Sequence, residues 1–342
     1  MKNQVQVIAE IANAHSGSPD KCLEILDTIA NSTVHNVKLQ IYSGGDICSS
    51  KHPRREHFNK QSFSEATWKE IIDFARSKQL NIYADVFGID SMHIAKSNNI
   101  RQIKIHSSDT LNIPLLTEVA KYVNTLFLSA GGTFLSELSE CTKYLSSKGI
   151  KDEQIVLMHG FQAYPSPMSK ARLNRIEELR QIFGTTYKYG YMDHIDGGID
   201  DSMYFPLLSL PYKVNYIEKH VTIRRDEKAT DYYSSIEADQ LSNFNSLVCK
   251  YNDSIAKSAF EMSDDELNYR KTVKKSWFSY TTQPKGETPL AIKMQRPNPG
   301  ENKNLLNYES IKESTLCENL ETDQLVSSND IKLRVNIVVV AR

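Results

Sequence analysis

Up to about residue 260 the chain alternates short runs of apolar or β-branched residues with longer runs in which apolar positions recur at helical spacing. The short runs read as strands: VQVIAEIA, VHNVKLQIY, LNIYADVF, IRQIKIHSS, NTLFLSAG, QIVLMHGF, KYGYMDH and VNYIEKHVT. The longer runs read as helices, among them PDKCLEILDTIANS, EATWKEIIDFARSKQ, LNIPLLTEVAKYV, FLSELSECTKYLSSK, SKARLNRIEELRQIF and IEADQLSNFNSLVCKYN. Several open on a Pro, Ser or Asp of the kind that caps a helix start. Eight strands, each followed by a helix or long loop over roughly 250 residues, predict an α/β chain folded as a (β/α)8 TIM barrel. An open doubly wound sheet would show the same alternation, but no G-x-G-x-x-G follows the first strand. The stretch SGGDICSSKHPRREHFNKQSFS, after the second strand, is polar and charged and predicts a surface loop at one barrel face.

After SDDELNYRKTVKKSW the helical period fades. Turn-forming residues punctuate PKGETPLAIKMQRPNPGEN, and a second apolar run, IKLRVNIVVVAR, follows, so a small β-rich domain is expected. The expected division is a barrel domain over 1–262, a linker over 263–272 and the small domain over 273–342. No internal repeat of fixed period is present.

Composition narrows the classes of function. The 342 residues are 40% hydrophobic, ample for a large core. With 41 basic and 42 acidic side chains the net charge is -1, and no basic run stands out, which argues against nucleic acid or an anionic membrane as partner. Small molecules are the better expectation. The first residues, MKNQVQVIAE, enter a strand pattern at once, and no apolar run approaches the roughly 18 residues of a membrane span, so the cytoplasm is the expected compartment. Five cysteines, Cys22, Cys48, Cys141, Cys249 and Cys317, form no C-x-x-C pair and read as free, mostly buried thiols.

The last residues of each expected strand carry the chemistry: Glu10, Lys38, Asp85, Lys104 with Ser107, Ser129, His159, His194 and His220. In a barrel of parallel strands these ends open onto one face, where catalytic groups collect. Asp193 and His194 would then end their strand facing a site. His194 and His220 fall on strands expected to be adjacent, roughly 5 Å apart, so that two imidazoles could share one metal ion. A lone strand-end histidine reads instead as a neutral, hydrogen-bonded structural group. Two histidines with water and carboxylate oxygens suit manganese, with magnesium, cobalt or zinc as alternatives. Lys38 and Lys104 are either barrel lysines paired with Glu10 or Asp109, or, with Ser107 and Ser129, donors to a phosphate or carboxylate. His15, His35, His52, His57 and His93 stand outside the strand ends and are expected to be mostly solvated; His106 is ambiguous.

IAEIANAHSG resembles the opening E-I-G-x-N-H-x-G of the sialic acid synthase family. VKLQIY, IKIHSSD, LSAGGT, LMHGFQAYPSP, GYMDHIDGG and IEKHVTIRRDEKATDYYSS resemble that family's later motifs in the same order. KKSWFSYTTQPKGETPLAIKMQRPNPG is similar to the start of its C-terminal antifreeze-like (SAF) domain, so the likeness covers essentially the whole chain. The resemblance implies an enzyme that joins phosphoenolpyruvate to the open-chain aldehyde of an N-acetylated hexose and releases phosphate. By that likeness His194 and His220 hold the metal, a Lewis acid for the aldehyde. Glu10 stabilises positive charge at carbon 2 of phosphoenolpyruvate and helps place the water that captures it. Lys38, Lys104, Ser107 and Ser129 match positions that hold phosphoenolpyruvate, and Gln162, Tyr164 and Asp231 match positions near the sugar. Arg296, in QRPNPG, matches an arginine that the small domain presents to the partner subunit's site, which implies a domain-swapped homodimer.

The chain departs from the family pattern at Ala14, Asp85, Ala130, Gly160 and Met192. Asp85 stands where Thr or Ser is usual, and Met192 where a small hydroxyl residue is usual. A carboxylate near a bound phosphate opposes it by like charge unless a lysine or metal offsets it. The alternatives are a non-catalytic sugar or phosphoenolpyruvate binder, another metal-dependent barrel enzyme such as a hydrolase, and a synthase of a different keto-sugar acid.

Overall fold

A computed structural model describes residues 4–255, 260–298 and 306–333. The chain divides into two compact units, residues 1–255 and 256–342.

In the first unit, the eight expected apolar runs form eight parallel strands in sequence order: β1 (Gln6–Glu10), β2 (Asn36–Ile41), β3 (Asn81–Val86), β4 (Gln102–Ile105), β5 (Thr125–Ser129), β6 (Ile155–His159), β7 (Lys188–Asp193) and β8 (Tyr216–Thr222). β1 pairs with both β2 and β8, which closes the ring. A two-residue strand, β9 (Ile236–Glu237), extends the mouth beside β8. Both faces of the ring are covered, so its strands read as continuous apolar runs.

Helices pack outside. Pro19–Ala30 starts where the Ser18 hydroxyl accepts from the Lys21 amide, and buries Cys22, Ile25, Leu26 and Ile29 on one stripe. Glu65–Ser77 begins at Ser64 in the same way and buries Trp68, Ile71, Ile72 and Ala75. The stretch expected as a surface loop after β2 instead carries two short helices, Gly44–Ile47 and Arg55–Gln61; each is too short to show a hydrophobic period.

Alternation along the strands sorts the ring's contents into two faces. Ile8, Tyr83, Phe127, Val156, Met158 and Met192 fill the interior as a separate apolar cluster, and the charged residues described below form the next layer toward the mouth. Tyr189, Tyr191 and Asp193 take the other parity and point outward. Asp193 is therefore not a mouth residue: its carboxylate meets the Lys219 ammonium, both wholly buried, and Lys219 also donates to the Ser202 carbonyl at 2.9 Å. Burial holds the Asp193 carboxyl above its ordinary range, against the opposing pull of Lys219. His159 likewise faces away, with Nε2 2.8 Å from the Ala171 carbonyl.

The second unit is small and β-rich. β10 (Ser276–Ser279) pairs antiparallel with β11 (Ile292–Gln295), and β12 (Ser314–Leu316) with β13 (Ile331–Leu333). Leu316, Leu320 and Val326 form its core, joined by the partly buried Trp277 and Ile331. Gly286, in the Lys-Gly turn, sits at φ +85°, where a side chain would be strained. The division between units falls at Ile255, earlier than expected, and the stretch 263–272 assigned as linker carries the capped helix Asp264–Val273. Ser263 and Glu266 form its capping box, a start signal the polar stretch hides. Residues 299–305 and 334–342, which include the end of QRPNPG and most of the run IKLRVNIVVVAR, lie outside the described residues.

Among the described residues all five cysteines are free, but only Cys22 and Cys141 are buried; Cys249 is exposed.

Candidate active site

Parity and register place five charged side chains together inside the barrel. Glu10 is level with Lys38 on β2 and with His220 on β8, and Asp85 is level with Lys104 on β4. Lys38 lies mid-strand rather than at a strand end, pointing inward below the mouth. Its ammonium contacts the Glu10 carboxylate, lies 2.7 Å from Glu218 Oε1 and is 3.5 Å from Asp85 Oδ2. Lys104 Nζ donates to both Glu218 oxygens, at 2.9 and 3.1 Å, and sits 3.7 Å from Asp85. Glu218, absent from the residues singled out by sequence, is thus the hub. It lies two residues before His220 on the same face of β8, and that spacing alone could have found it.

The cluster is almost wholly buried, and its charges lie within ion-pair distance of one another. Burial lowers the Lys38 ammonium to about 8, with Lys104 pushing the same way and Glu218 and Asp85 resisting. For Lys104 the cost of burial is outweighed by Glu218 and Asp85, which raise it. Burial also opposes the Glu218 charge, but the two lysines prevail and hold its carboxyl below the usual range. Glu10 Oε1 accepts from the Ala12 amide at 2.6 Å, which fixes the carboxylate in the cluster.

Above this layer opens a cavity of about 900 Å³, whose wall includes Lys104, Ser107, Gln162, Tyr164, Asp231 and both His194 and His220. The imidazoles of His194 and His220 are 5.3 Å apart between ring centroids, and the Tyr164 ring is 4.5 Å from His194. His194 Nδ1 is 2.8 Å from the Phe161 carbonyl, which places a proton there and leaves Nε2 as the donor atom. His220 Nδ1 is buried without a hydrogen-bond partner among the described residues. Burial lowers His194 to about 4 and His220 well below its ordinary value, so both are neutral at pH 7, the form that binds metal. Two neutral imidazoles with an orphaned ring nitrogen fit a divalent ion. No group of three His, Cys, Asp or Glu side chains among the described residues forms a closed site, so a bound ion would take its remaining ligands from water or substrate.

The other candidates fall as follows. Ser129 is buried beneath Gln162, whose amide is 3.4 Å from its hydroxyl, and Tyr164 donates to Gln162 Oε1 at 2.6 Å. Asp231 accepts from the Asn13 amide at 3.2 Å; burial raises its carboxyl. Asp109 does not pair with either lysine and instead accepts from Ser108 and Asn112. His106 lines the cavity, accepting from the Ser108 amide at 3.2 Å. His15, expected in solvent, is 2% exposed and packs on Phe63. Arg296 belongs to the second unit, where it is exposed just beyond β11. No helix among the described residues is long and apolar enough to cross a membrane.

The chain is similar to known proteins in sequence and in fold. The N,N'-diacetyllegionaminic acid synthase of Campylobacter jejuni is 23% identical over 334 residues, covering 94% of this chain and 98% of that protein. The pseudaminic acid synthase of Helicobacter pylori is 24% identical over 352 residues, covering 96% and 98%. Among solved structures, the N-acetylneuraminic acid synthetase of Leptospira borgpetersenii, crystallised with citrate, superposes with a TM-score of 0.71 at 23% identity, covering 80% of this chain and 93% of that one. The description of the NeuB family matches residues 25–259, well over half of the sequence and nearly the whole barrel. The chain belongs to the NeuB family.

Proposed function

We propose that this protein is a nonulosonic acid synthase, condensing phosphoenolpyruvate with the open-chain aldehyde of an N-acetylated hexose and releasing phosphate. The observation that carries the reading is the stacking of two layers in one barrel: two buried lysines held by Glu10, Asp85 and Glu218, and above them the paired neutral imidazoles of His194 and His220. The names of the Campylobacter and Helicobacter relatives support it.

In this reading Lys38 and Lys104 exchange carboxylate partners for the anionic groups of phosphoenolpyruvate, with Ser107 and Ser129 as further donors. Gln162, Tyr164 and Asp231 surround the sugar. His194 and His220 would hold a divalent ion, manganese in preference to magnesium, cobalt or zinc, which when bound polarises the aldehyde. Carbon 3 of phosphoenolpyruvate forms the new bond to the aldehyde carbon. Glu10, freed from Lys38 as that ammonium turns to the ligand, stabilises the charge left at carbon 2 and orients the water that adds there. Departure of phosphate then leaves the 2-keto acid. The second unit is read as a SAF domain presenting Arg296 to the partner subunit of a domain-swapped homodimer, working in the cytoplasm.

The test is phosphate release by the purified protein with manganese and phosphoenolpyruvate, against a panel of N-acetylated and di-N-acetylated hexoses with and without a 6-phosphate. Release dependent on one sugar is the expected result and names the substrate. Thermal stabilisation by phosphoenolpyruvate with no release on any sugar would favour the binder over the synthase, since a bound ligand stabilises whether or not turnover follows.

A further inference from the structure

Asp85 presents an unmet requirement. Its side chain is fully buried, it lines the cavity, and neither carboxylate oxygen has a hydrogen-bond partner among the described residues. The two ammoniums beside it lie at 3.5 and 3.7 Å, beyond hydrogen-bond length: Lys104 donates to Glu218 at 2.9 Å, and Lys38, which has no hydrogen bond of its own among the described residues, lies closer to Glu10 and Glu218 than to Asp85. A buried carboxylate that accepts nothing is costly, and this one faces the cavity. The other charged or titratable groups around it are ion-paired or neutral: Lys38 on β2, Lys104 on β4, Glu10 on β1 and Glu218 on β8 within ion-pair distance of one another, His106 lowered by burial, and Tyr164, raised by burial to about 12. Lys38 Nζ and Glu10 Oε2 also lack a hydrogen bond among the described residues. Across the ring Met192 adds no donor, and its Cβ and carbonyl fill the space to within 2.8 Å of where a side chain at Gly160 would begin. The floor thus holds three carboxylates against two ammoniums before any ligand arrives.

We propose that Asp85 is a specificity-determining residue that restricts this subsite to a phosphate group carrying a proton, whose P–OH donates to the Asp85 carboxylate while Lys38 and Lys104 take the unprotonated oxygens. The inference rests on the phosphoenolpyruvate reading above. A fully ionised phosphate would set its oxygens against those of Asp85 with no hydrogen between them; a monoanion supplies the missing hydrogen and reduces the repulsion. Because a phosphate ester ionises a second time near pH 6, roughly nine-tenths of it is dianion at pH 7, and binding the monoanion draws about 0.9 proton from solvent. Affinity then falls about tenfold per pH unit above pH 7. Sulfate, which carries no proton in this range, is rejected.

The experiment is calorimetric titration of the full-length, manganese-saturated protein with phosphoenolpyruvate at pH 7 in buffers of different ionisation enthalpy, comparing the natural sequence with Asp85→Thr. Inorganic phosphate and sulfate are run as competitors. The expected result is uptake of close to one proton and competition by phosphate alone; in Asp85→Thr the uptake falls to the roughly one-tenth of a proton that Lys38, at about 8, contributes, and sulfate competes as well as phosphate. The natural protein decides the matter even if the variant fails to fold. Phosphoenolpyruvate binding without proton uptake, with sulfate competing equally, overturns the inference and leaves the substrate assignment standing. No phosphoenolpyruvate binding at any pH, with phosphate still stabilising the protein against heat more than sulfate does, removes the substrate and keeps the proton requirement.

Discussion

Replacing Asp193 by alanine tests whether this residue, one position from a proposed metal-holding histidine, belongs to the scaffold or to the chemistry. The substitution deletes the carboxylate facing Lys219, and both partners are wholly buried. The ammonium keeps only the Ser202 carbonyl at 2.9 Å, which leaves a full charge under-solvated between the barrel and its helices. Removing one partner of such a pair costs about 3–5 kcal/mol. In a unit of this size each kcal/mol moves the melting midpoint by about 2–4 °C, so Asp193→Ala is expected to melt about 6–20 °C lower. Lys219→Met in the same chain removes the stranded charge and recovers at least half of that loss. The assays are melting followed by circular dichroism and phosphate release measured well below the transition, where both variants should turn over close to the natural rate. An unchanged midpoint with turnover lost would refute the outward placement, and a double variant as unstable as the single would refute the stranded-charge account.

His194→Ala or His220→Ala should abolish metal-stimulated phosphate release with an unchanged circular-dichroism spectrum; full activity in either variant would remove the pair from metal holding. His15, buried and lowered from 6.5 to about 4, binds its proton in the unfolded chain before it does so in the fold, so stability declines as pH drops from 6.5 toward 4. At pH 5 that linkage amounts to about 2 kcal/mol, and urea midpoints of His15→Asn across pH 7 to 5 should show a shallower decline than those of the natural protein. Gly160→Ala should lose about 1–3 kcal/mol in the same urea assay, because the new methyl meets Met192 Cβ and its carbonyl at 2.8 Å; an unaltered midpoint would show that β7 yields there. Arg296→Ala should raise the KM for the sugar more than that for phosphoenolpyruvate, and an unchanged sugar dependence would count against the exchanged-domain arrangement.

The barrel was legible because its strands are buried on both faces and its helices on one, a contrast that apolar periodicity records directly. Which strand residues face the cavity depends on parity, and strand-end position does not report it. Asp193 and His194 are neighbours in sequence yet point to opposite faces, and His159 ends β6 but turns outward to Ala171. In IEKHV the histidine draws the eye, while the glutamate two residues earlier shares its face and lies within ion-pair distance of both lysines. His15 was expected in solvent because a loop histidine has no period to betray its burial. The two short helices after β2 escaped for the same reason.

The closing contact between β1 and β8 has a consequence for how the molecule is made. Glu10 and Lys38 are synthesised early, whereas Glu218, the carboxylate that engages both lysines, follows Lys104 by 114 positions. Until the eighth strand seats, a seven-stranded precursor would hold two ammoniums against only Glu10 and Asp85, with Lys104 lacking its nearest anion. Such a precursor keeps its centre wet, since unpaired charge resists leaving water. Sealing the ring and drying the interior are therefore a single late event, and a nascent chain stopped short of β8 should show helices on its surface and exchange-labile amides at its heart.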